Sequence, residues 1–253
     1  MQPIAIVLAA GKGTRMKSDL PKVLFPVLGR PMIHWVLDAL ATVGVTRSIV
    51  VVGYQADRVQ QELRGRPDAD RIEFAVQEQQ LGTGHAVARC GVALAEHDGP
   101  VLVLAGDSPL VQPDSLRELL GRFEATGPSC LLGTLLAEDP TGLGRIVRDT
   151  AGRFTGIVEH KDADATQRAI REVNMSTYVF DSQRLHWALG QLSDDNAQGE
   201  YYLTDCPRIL KAAGDAIDAA AVLRPCESRS VNTPEELAAV EQEMRRMGYP
   251  CKS

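Results

Sequence analysis

The sequence lacks the features that mark secreted, membrane-bound and disordered chains. Its five cysteines are scattered and contain no C-x-x-C pair, a pattern that indicates neither a disulfide framework nor a zinc knuckle and is typical of reduced thiols. The first apolar run ends at Ala10 with no basic residue before it, a pattern that fits neither a signal peptide nor a membrane span. There is no low-complexity tract and no block of like charge. We therefore expect a cytoplasmic protein with no membrane partner.

The chain also has no excess of basic residues. It carries 27 Lys and Arg against 33 Asp and Glu, a formal net charge of −6. Affinity for nucleic acid comes largely from lysine and arginine on phosphates, so we predict no nucleic-acid partner and only local phosphate binding. No linker and no internal repeat divides the 253 residues, which predicts one domain over residues 1–253.

What is present is an alternation of apolar runs and segments with helical spacing. The runs that predict buried strands are residues 4–9, 48–52, 72–76, 101–104 and 130–136. The segments that predict helices are residues 31–42, 56–63, 83–95 and 113–124. This order predicts an α/β fold with a Rossmann-like mixed, mostly parallel sheet that is covered by helices on both faces.

The pattern changes after about residue 140. Two short runs at 144–148 and 154–159 flank D-T-A-G-R, which predicts a hairpin in a small antiparallel subregion. The segments that complete the prediction are a strand at 173–180, a helix from 181, a helix at 203–213, a strand at 217–223 and a helix at 234–247.

The loop after the first predicted strand carries two glycines and a concentration of positive charge. Four cations and one anion, Asp19, lie between Gly11 and Lys22. Glycines let backbone N–H groups approach a phosphate closely, and ligands of such sheets bind beyond the carboxyl ends of the strands. The loop lacks the last glycine of a dinucleotide fingerprint, and the chain has no P-loop motif. A polyphosphate site or a solvated glycine turn are the two interpretations of these residues.

Two neighbouring motifs add a resemblance. L-A-A-G-K-G-T-R-M at residues 8–16, followed by L-P-K-V at 20–23, resembles the signature of the sugar-phosphate nucleotidyltransferases. The resemblance implies the nucleotide-diphospho-sugar transferase fold, a loop that holds the triphosphate through its amides and arginine, and a lysine that steadies the α-phosphate. The residues it places on the nucleotide here are Leu8, Ala10, Gly11, Arg15 and Lys22, with Arg15 and Lys22 as the catalytic cations.

A second loop narrows the resemblance to one subgroup. Q-E-Q-Q-L-G-T-G-H-A at residues 77–86 is similar to the N-acetylglucosamine 1-phosphate uridylyltransferases. A glutamine offers both a donor and an acceptor to a uracil edge. The resemblance assigns uracil recognition to Gln77, Gln80, Gly82 and Thr83. For His85 we predict a capping or packing role and not catalysis.

Two oxygen-bearing side chains form the predicted metal site. Asp107 comes immediately after a buried strand, where a carboxylate can hold Mg²⁺ against phosphate oxygens. S-V-N-T-P-E at residues 230–235 is similar to a late asparagine loop of the family, which implies that Asn232 binds the same ion. A turn or N-cap aspartate and a helix-capping asparagine are the respective alternatives.

Four further segments resemble the sugar-binding half of the uridylyltransferases. They are G-L-G-R-I at 142–146, V-E-H-K-D at 158–162, E-V-N at 172–174 and the stretch 196–205. The resemblance implies contacts to the sugar or its phosphate from Gly144, Glu159, Asn174 and Thr204. His160, Lys161 and Asp162 are predicted to be a solvated hairpin end. After Asn174 the chain carries Met175 and Ser176, where the family often has a glycine.

The resemblance implies a reaction as well as a fold. An NTP and a sugar 1-phosphate give a nucleotide sugar and pyrophosphate with Mg²⁺, and UTP with N-acetylglucosamine 1-phosphate is the expected pair. Residues 1–140 are then mainly nucleotide-binding, 141–232 mainly sugar-binding, and 233–253 a C-terminal helix and tail. The alternatives are another NTP or hexose 1-phosphate, and a regulatory module that binds a UDP-sugar without turnover.

The sequence also bears on assembly. No hexapeptide repeats are present, so we expect no acetyltransferase β-helix domain and none of the trimerisation that it drives. The expected state is a monomer or a weak homo-oligomer.

Overall fold

A computed structural model describes residues 2–196 and 198–251 of the chain. Within these ranges the chain forms eleven β-strands and nine α-helices. The strands are β1 (Ile4–Ala9), β2 (Pro26–Val27), β3 (Arg30–Pro31), β4 (Arg47–Val52), β5 (Ile72–Val76), β6 (Pro100–Ala105), β7 (Cys130–Leu136), β8 (Arg145–Arg148), β9 (Phe154–Val158), β10 (Glu172–Asp181) and β11 (Ile217–Ala220). The helices are α1 (Met32–Thr42), α2 (Ala56–Arg64), α3 (Thr83–Ala88), α4 (Gly91–Ala95), α5 (Pro113–Thr126), α6 (Ala165–Arg168), α7 (Ser182–Leu189), α8 (Cys206–Ala212) and α9 (Pro234–Arg246).

The main sheet is mixed and mostly parallel. Its strand order is β11, β7, β10, β6, β1, β4 and β5, and the β8–β9 hairpin joins it through β10. Strand β10 runs antiparallel to both of its neighbours, β6 and β7, whereas β1 is parallel to β4 and β6. The predicted fold class is therefore confirmed, including the small antiparallel subregion.

The two faces of the sheet explain why its central strands are apolar throughout. Alternate residues of β1 point to opposite faces, so Ala5 and Val7 join one buried cluster and Ile4 and Ile6 the other. Helices α1, α2 and α5 supply the first cluster, and α3, α4, α7 and α8 the second. Both faces of β1 are thus covered, and the chain becomes exposed only in the loop that follows the carboxyl end of the strand.

A third buried cluster ties the C-terminal helix to the start of the chain. Val240 and Met244 of α9 pack with Met16, Leu28 and Met32. The same cluster contains Val231, which precedes Asn232, while Met16 follows Arg15. Arg15 and Asn232 are far apart in sequence, but each is therefore directly next to a residue of the same apolar cluster.

Some predicted elements differ from the structure. The single helix expected at 83–95 is wrong, because α3 ends at Ala88 and α4 begins only at Gly91. The helix expected at 203–213 starts as a 3-10 turn over Leu203–Asp205, and Pro207 takes the first turn of α8, where a missing N–H costs nothing. The hairpin of β2 and β3 and the short α6 were not expected. None of the helices in the described ranges combines the length and apolar character needed to cross a bilayer.

Candidate functional site

The predicted nucleotide loops meet at the carboxyl edge of the parallel strands. The Gly106 amide donates to Leu8 O at 2.9 Å, which joins the ends of β6 and β1. The carbonyl of Ala10 accepts from the backbone amide of Tyr54 at 3.0 Å and from the side-chain Nε2 of Gln80 at 2.9 Å. The loops after β1, β4, β5 and β6 therefore form one surface, because each is hydrogen-bonded to the loop beside it.

A cleft of about 290 Å³ opens in this surface. The residues that line it include Leu8, Gly11, Arg15, Lys22 and Asp107. The glycine at position 13 is required by the geometry, since its φ is +66° and a Cβ there would lie 2.7 Å from the Cβ of Lys22. The glycine turn therefore brings the Lys22 stem up against the first loop.

Four of the predicted site residues converge at one end of this cleft. Lys22 forms an ion pair with Asp107, and its ammonium donates to Asn232 Oδ1 at 2.6 Å. Arg15 Nη2 donates to the same oxygen at 2.9 Å. The side chains of Lys22 and Asp107 are only 15% and 18% exposed. Lys22, Asp107 and Asn232 thus meet at a partly buried position, which Arg15 joins from the exposed side.

The asparagine loop is held beside Asp107 by its own backbone. The amide of Val231 donates to Asp107 O at 3.4 Å, and Thr233 caps α9 by accepting from the Glu236 amide. Because Thr233 is the cap, the capping alternative for Asn232 is wrong. The Asn232 side chain points instead to the cations of the cleft.

The oxygens of Asp107 and Asn232 suit a hard cation such as Mg²⁺. Both contact a single ammonium, so they lie close enough to face one ion, and Mg²⁺ takes oxygen ligands with phosphates and waters completing its shell. Within the described ranges no group of three or more His, Cys, Asp or Glu could hold a metal by itself. The donor set therefore fits an ion that arrives with phosphate, with Asp107 and Asn232 as the protein's contribution.

The predicted base-recognition loop is braced from within. Gln77 is buried, and its amide nitrogen donates to Gly82 O and to His85 Nδ1, both at 3.0 Å. His85 is therefore packed against Gln77 and holds the loop that leads to α3.

The loop of Gly82 and Thr83 also supports the sugar side. Gly82 has a φ of +105°, and a Cβ there would lie 2.5 Å from Tyr201 O, so glycine is required. The Gly84 amide donates to that carbonyl at 2.8 Å, and the Leu203 amide donates to Thr83 Oγ1 at 3.0 Å. The segment that carries Thr204 is thus fixed directly against the predicted base loop.

The predicted sugar residues border a second cavity, of about 400 Å³. Glu159 and Thr204 both line it. Gly144 lies behind Glu159, since a Cβ on Gly144 would be 3.4 Å from Glu159 Oε1. The Asn174 amide donates to Gly144 O at 2.9 Å. All four predicted residues are therefore within one connected region, with Glu159 and Thr204 facing the open space.

The Asn174 side chain is committed to its own strand. Its Nδ2 donates to Tyr178 Oη at 3.0 Å, and its Oδ1 accepts from the Ser176 amide at 3.2 Å. Burial raises the pKa of Tyr178, so the phenol stays protonated. Ser176 has a φ of +54° in an irregularity of β10, the left-handed region that glycine occupies at no cost. A serine here carries backbone strain that a glycine would avoid.

Sequence reasoning missed Arg145, whose side chain is almost fully buried. Its guanidinium bonds the carbonyls of Leu143 and Arg168 and the Nδ1 of His160, while its Nε has no partner among the described residues. His160 is half-buried and supplies one of the acceptors that a buried arginine needs, so it is more than the solvated hairpin end that we expected. Lys161 is exposed as expected. The G-R pair at 144–145 alone gives no signal of this burial.

The thiols take no part in the site. Burial raises the pKa of Cys90 and of Cys206 to about 12, so both stay protonated at neutral pH. A protonated, buried thiol is a poor nucleophile. The charged and polar side chains at the cleft are therefore two cations and two oxygen-bearing groups, with no thiol among them.

Comparisons with known proteins agree with this geometry. The family model of the MobA-like NTP transferase domain matches residues 5–172. Two curated relatives, from Exiguobacterium strain AT1b and Exiguobacterium sibiricum, are both named Bifunctional protein GlmU. Each is 47% identical to this chain over 246 residues, which is 97% of this chain and 53% and 54% of the two relatives. The chain thus spans about half the length of the curated relatives it matches.

A solved structure supports the fold independently. It is a Bacillus anthracis protein described as a glucose-1-phosphate thymidylyltransferase in complex with sucrose. Its TM-score is 0.76 at 19% identity, with 96% of this chain and 95% of that chain covered. At this identity the likeness concerns the fold alone. The family model and the curated relatives confirm the resemblance drawn from the loop motifs, and the chain belongs to the MobA-like NTP transferase domain family.

Proposed function

We propose that this chain transfers a nucleotidyl group from an NTP to a sugar 1-phosphate, with UTP and N-acetylglucosamine 1-phosphate as its substrates. The observation that carries the proposal is the convergence of Arg15, Lys22, Asp107 and Asn232 at one end of a glycine-lined cleft. Family membership and the curated relatives named Bifunctional protein GlmU support the same reaction class.

The proposed chemistry needs positioning more than an activated nucleophile. A sugar phosphate is already an anion, so attack on the α-phosphorus needs no serine, cysteine or histidine base. What it needs is alignment and stabilisation of the charge that develops, which preorganised cations provide. We assign Lys22 to the α-phosphate and Arg15 to the departing pyrophosphate. The amides of Ala10 and Gly11, beside Leu8, hold the triphosphate.

Mg²⁺ is the cofactor of this proposal, with Asp107 and Asn232 as its protein ligands. When bound, it neutralises phosphate oxygens and so lowers the repulsion between the two anionic substrates. Without nucleotide, the ammonium of Lys22 contacts Asp107 Oδ2 and Asn232 Oδ1. For the ion to bind these two oxygens, Lys22 has to move toward the phosphates of the nucleotide. The same exchange frees Arg15 from Asn232.

Substrate recognition is assigned to the two remaining regions. Gln77, Gln80, Gly82 and Thr83 surround the uracil, and the bracing of Gln77 by His85 keeps the loop ready to receive it. Glu159 and Thr204 are assigned to the sugar from the cavity they line, and Gly144 and Asn174, which lie behind them, are assigned to it by the resemblance. An uncharged hexose needs paired polar partners, because each buried group left unpaired costs about 1–3 kcal/mol.

A substrate panel tests the proposal. Purified protein is incubated with Mg²⁺, each of four NTPs and a series of sugar 1-phosphates, and pyrophosphate release is measured. We expect the highest kcat/KM with UTP and N-acetylglucosamine 1-phosphate, and no release when EDTA is present. A preference for another NTP or hexose would keep the chemistry and change the substrates. Tight UDP-sugar binding without pyrophosphate release from any pair would instead support the regulatory binding module.

Other expectations follow from the same proposal. The partners are small molecules, with neither nucleic acid nor a membrane involved, and the proposed location is the cytoplasm. A monomer or weak homo-oligomer remains our prediction for residues 1–253. Sedimentation velocity across a hundredfold range of protein concentration measures this state directly.

A further inference from the structure

We propose that Glu236 and Ser230 are positioning residues that hold Asn232 in its ion-binding orientation while substrates bind. The inference deepens the proposed function and rests on it. Glu236 is in the first turn of α9, and Ser230 comes two residues before Asn232. Neither was singled out by the sequence.

The contacts of Asn232 divide into two sets. Its side-chain oxygen accepts from Arg15 and Lys22 in the cleft. Its backbone amide donates to Glu236 Oε2 at 2.6 Å, and its Nδ2 donates to Ser230 Oγ at 3.1 Å. The first set is made with groups that the phosphates attract, whereas the second is made with groups outside the cleft lining. When nucleotide draws the cations away, the hydrogen bonds of Asn232 that remain among the described residues are those to Glu236 and Ser230.

The bond from Glu236 departs from the usual arrangement of a helix start. In a capping box, the glutamate three residues after the N-cap reaches back to the N-cap amide. Here Thr233 is the cap and accepts from the Glu236 amide, but the Glu236 carboxylate accepts from Asn232, one residue further out. The first turn of α9 is thus tied to the proposed ion ligand, through a hydrogen bond to an ionised acceptor.

Helix α9 is a rigid base for this contact. Val240 and Met244 are fully buried in the third cluster, and Glu241 Oε1 accepts from the Leu28 amide at 2.8 Å. The amide of Val231 meanwhile fixes the loop to Asp107. The Glu236 carboxylate therefore contacts the Asn232 backbone from a helix that buried packing holds in place.

The structure offers a matched control in Glu235. It carries the same charge in the same first turn, so removing it alters the helix-dipole interaction equally. Among the described residues, no hydrogen bond joins its carboxylate to Asn232, whose backbone amide donates to Glu236. Comparing Glu236→Ala with Glu235→Ala therefore isolates the hold on Asn232 from the general effect of lost charge.

The test measures Mn²⁺ binding to the full chain with saturating UTP. Water-proton relaxation enhancement distinguishes Mn²⁺ on the slowly tumbling protein from Mn²⁺ on free UTP. Groups that hold metal ligands typically contribute about 10–100-fold in affinity. Glu236 is exposed, so water can replace its carboxylate in part. We therefore expect Mn²⁺ binding to be about tenfold weaker for Glu236→Ala and about thirtyfold weaker for the double variant that also carries Ser230→Ala. Glu235→Ala should stay within twofold of wild type.

Rescue separates positioning from stability. Glu236→Gln keeps an oxygen that can accept from the Asn232 amide, so its Mn²⁺ affinity should return to within about threefold of wild type. Melting temperatures of Glu236→Ala and Glu235→Ala should agree. Equal Mn²⁺ affinity for Glu236→Ala and Glu235→Ala would overturn the inference. If the wild type still binds Mn²⁺ and releases pyrophosphate, that result leaves the proposed function intact. Absence of Mn²⁺ binding and of pyrophosphate release in the wild type would overturn both.

Discussion

Replacing Lys22 with methionine is expected to lower kcat and to raise the Mn²⁺ affinity of the nucleotide-free protein. The substitution removes the ammonium but keeps an unbranched stem of similar length. The ammonium pairs with Asp107 and donates to Asn232 Oδ1 in the absence of nucleotide, and we assign it to the α-phosphate during the reaction. On this assignment, we expect the same group to compete with the divalent ion in the absence of nucleotide and to stabilise the transition state during the reaction.

The expected loss of turnover follows from the removal of a preorganised charge. One such contact is worth about 10²–10³ in kcat, or roughly 2.7–4 kcal/mol. The expected gain in ion binding follows from the loss of a competitor. A hydrogen-bonded, partly buried ion pair contributes about 1.5 kcal/mol, which corresponds to about a tenfold tighter Mn²⁺ affinity for the nucleotide-free variant.

Both quantities can be measured on one preparation. Pyrophosphate release gives kcat, and electron paramagnetic resonance of free Mn²⁺ gives the affinity without nucleotide. Lys17→Met is the control, since it removes an exposed cation from the same loop. Turnover of Lys22→Met within a few-fold of wild type, in a folded protein, would refute the catalytic role. Unchanged Mn²⁺ affinity would refute the competition between the ammonium and the ion.

Three further predictions concern strain, the phosphate loop and acid stability. Ser176→Gly should raise the free energy of unfolding by about 0.5–1 kcal/mol in urea titrations, because it relieves a left-handed backbone; a loss of stability would contradict the strain. Gly11→Ala meets no atom within 4 Å, so its melting temperature should match wild type while its KM for UTP rises about tenfold; an unchanged KM would remove Gly11 from the phosphate site. Arg184 and a hydrogen bond from Ser129 lower the pKa of Asp215, so the stabilisation is complete above the unfolded pKa of about 3.9 and is lost as pH falls through the lower folded value. Asp215→Asn should therefore cost about 1 kcal/mol at pH 7 and progressively less below pH 4, and a pH-independent difference would contradict this pairing.

The sequence predicted what depends on local pattern. Buried parallel strands are continuous apolar runs, so β1 and β6 and the loops that follow them were placed correctly. Strand β10 was expected, but its antiparallel position between β6 and β7 was not, because strand pairing is not written in the residues of one strand. The break between α3 and α4 was missed because the helical spacing of apolar residues continues through it.

The site divides in the same way. Arg15 and Lys22 lie close together in sequence, and their spacing around a glycine turn was informative by itself. Asn232 is 210 residues from Lys22, and only the resemblance brought it to the same cleft. The hold that Glu236 exerts on Asn232 has a local signature, T-P-E-E, but that signature predicts an ordinary capping box. The one-residue offset is a property of the folded loop.

A crystal structure with Mn²⁺ and a non-hydrolysable UTP analogue tests the central claim most directly. Anomalous scattering locates the ion without reference to the protein, and the analogue locates the triphosphate. We predict one Mn²⁺ within coordination distance of Asp107 and Asn232, with Lys22 moved onto the α-phosphate and Arg15 onto the terminal phosphates. A triphosphate bound away from the loop at residues 8–16, or an ion that contacts neither Asp107 nor Asn232, would contradict it.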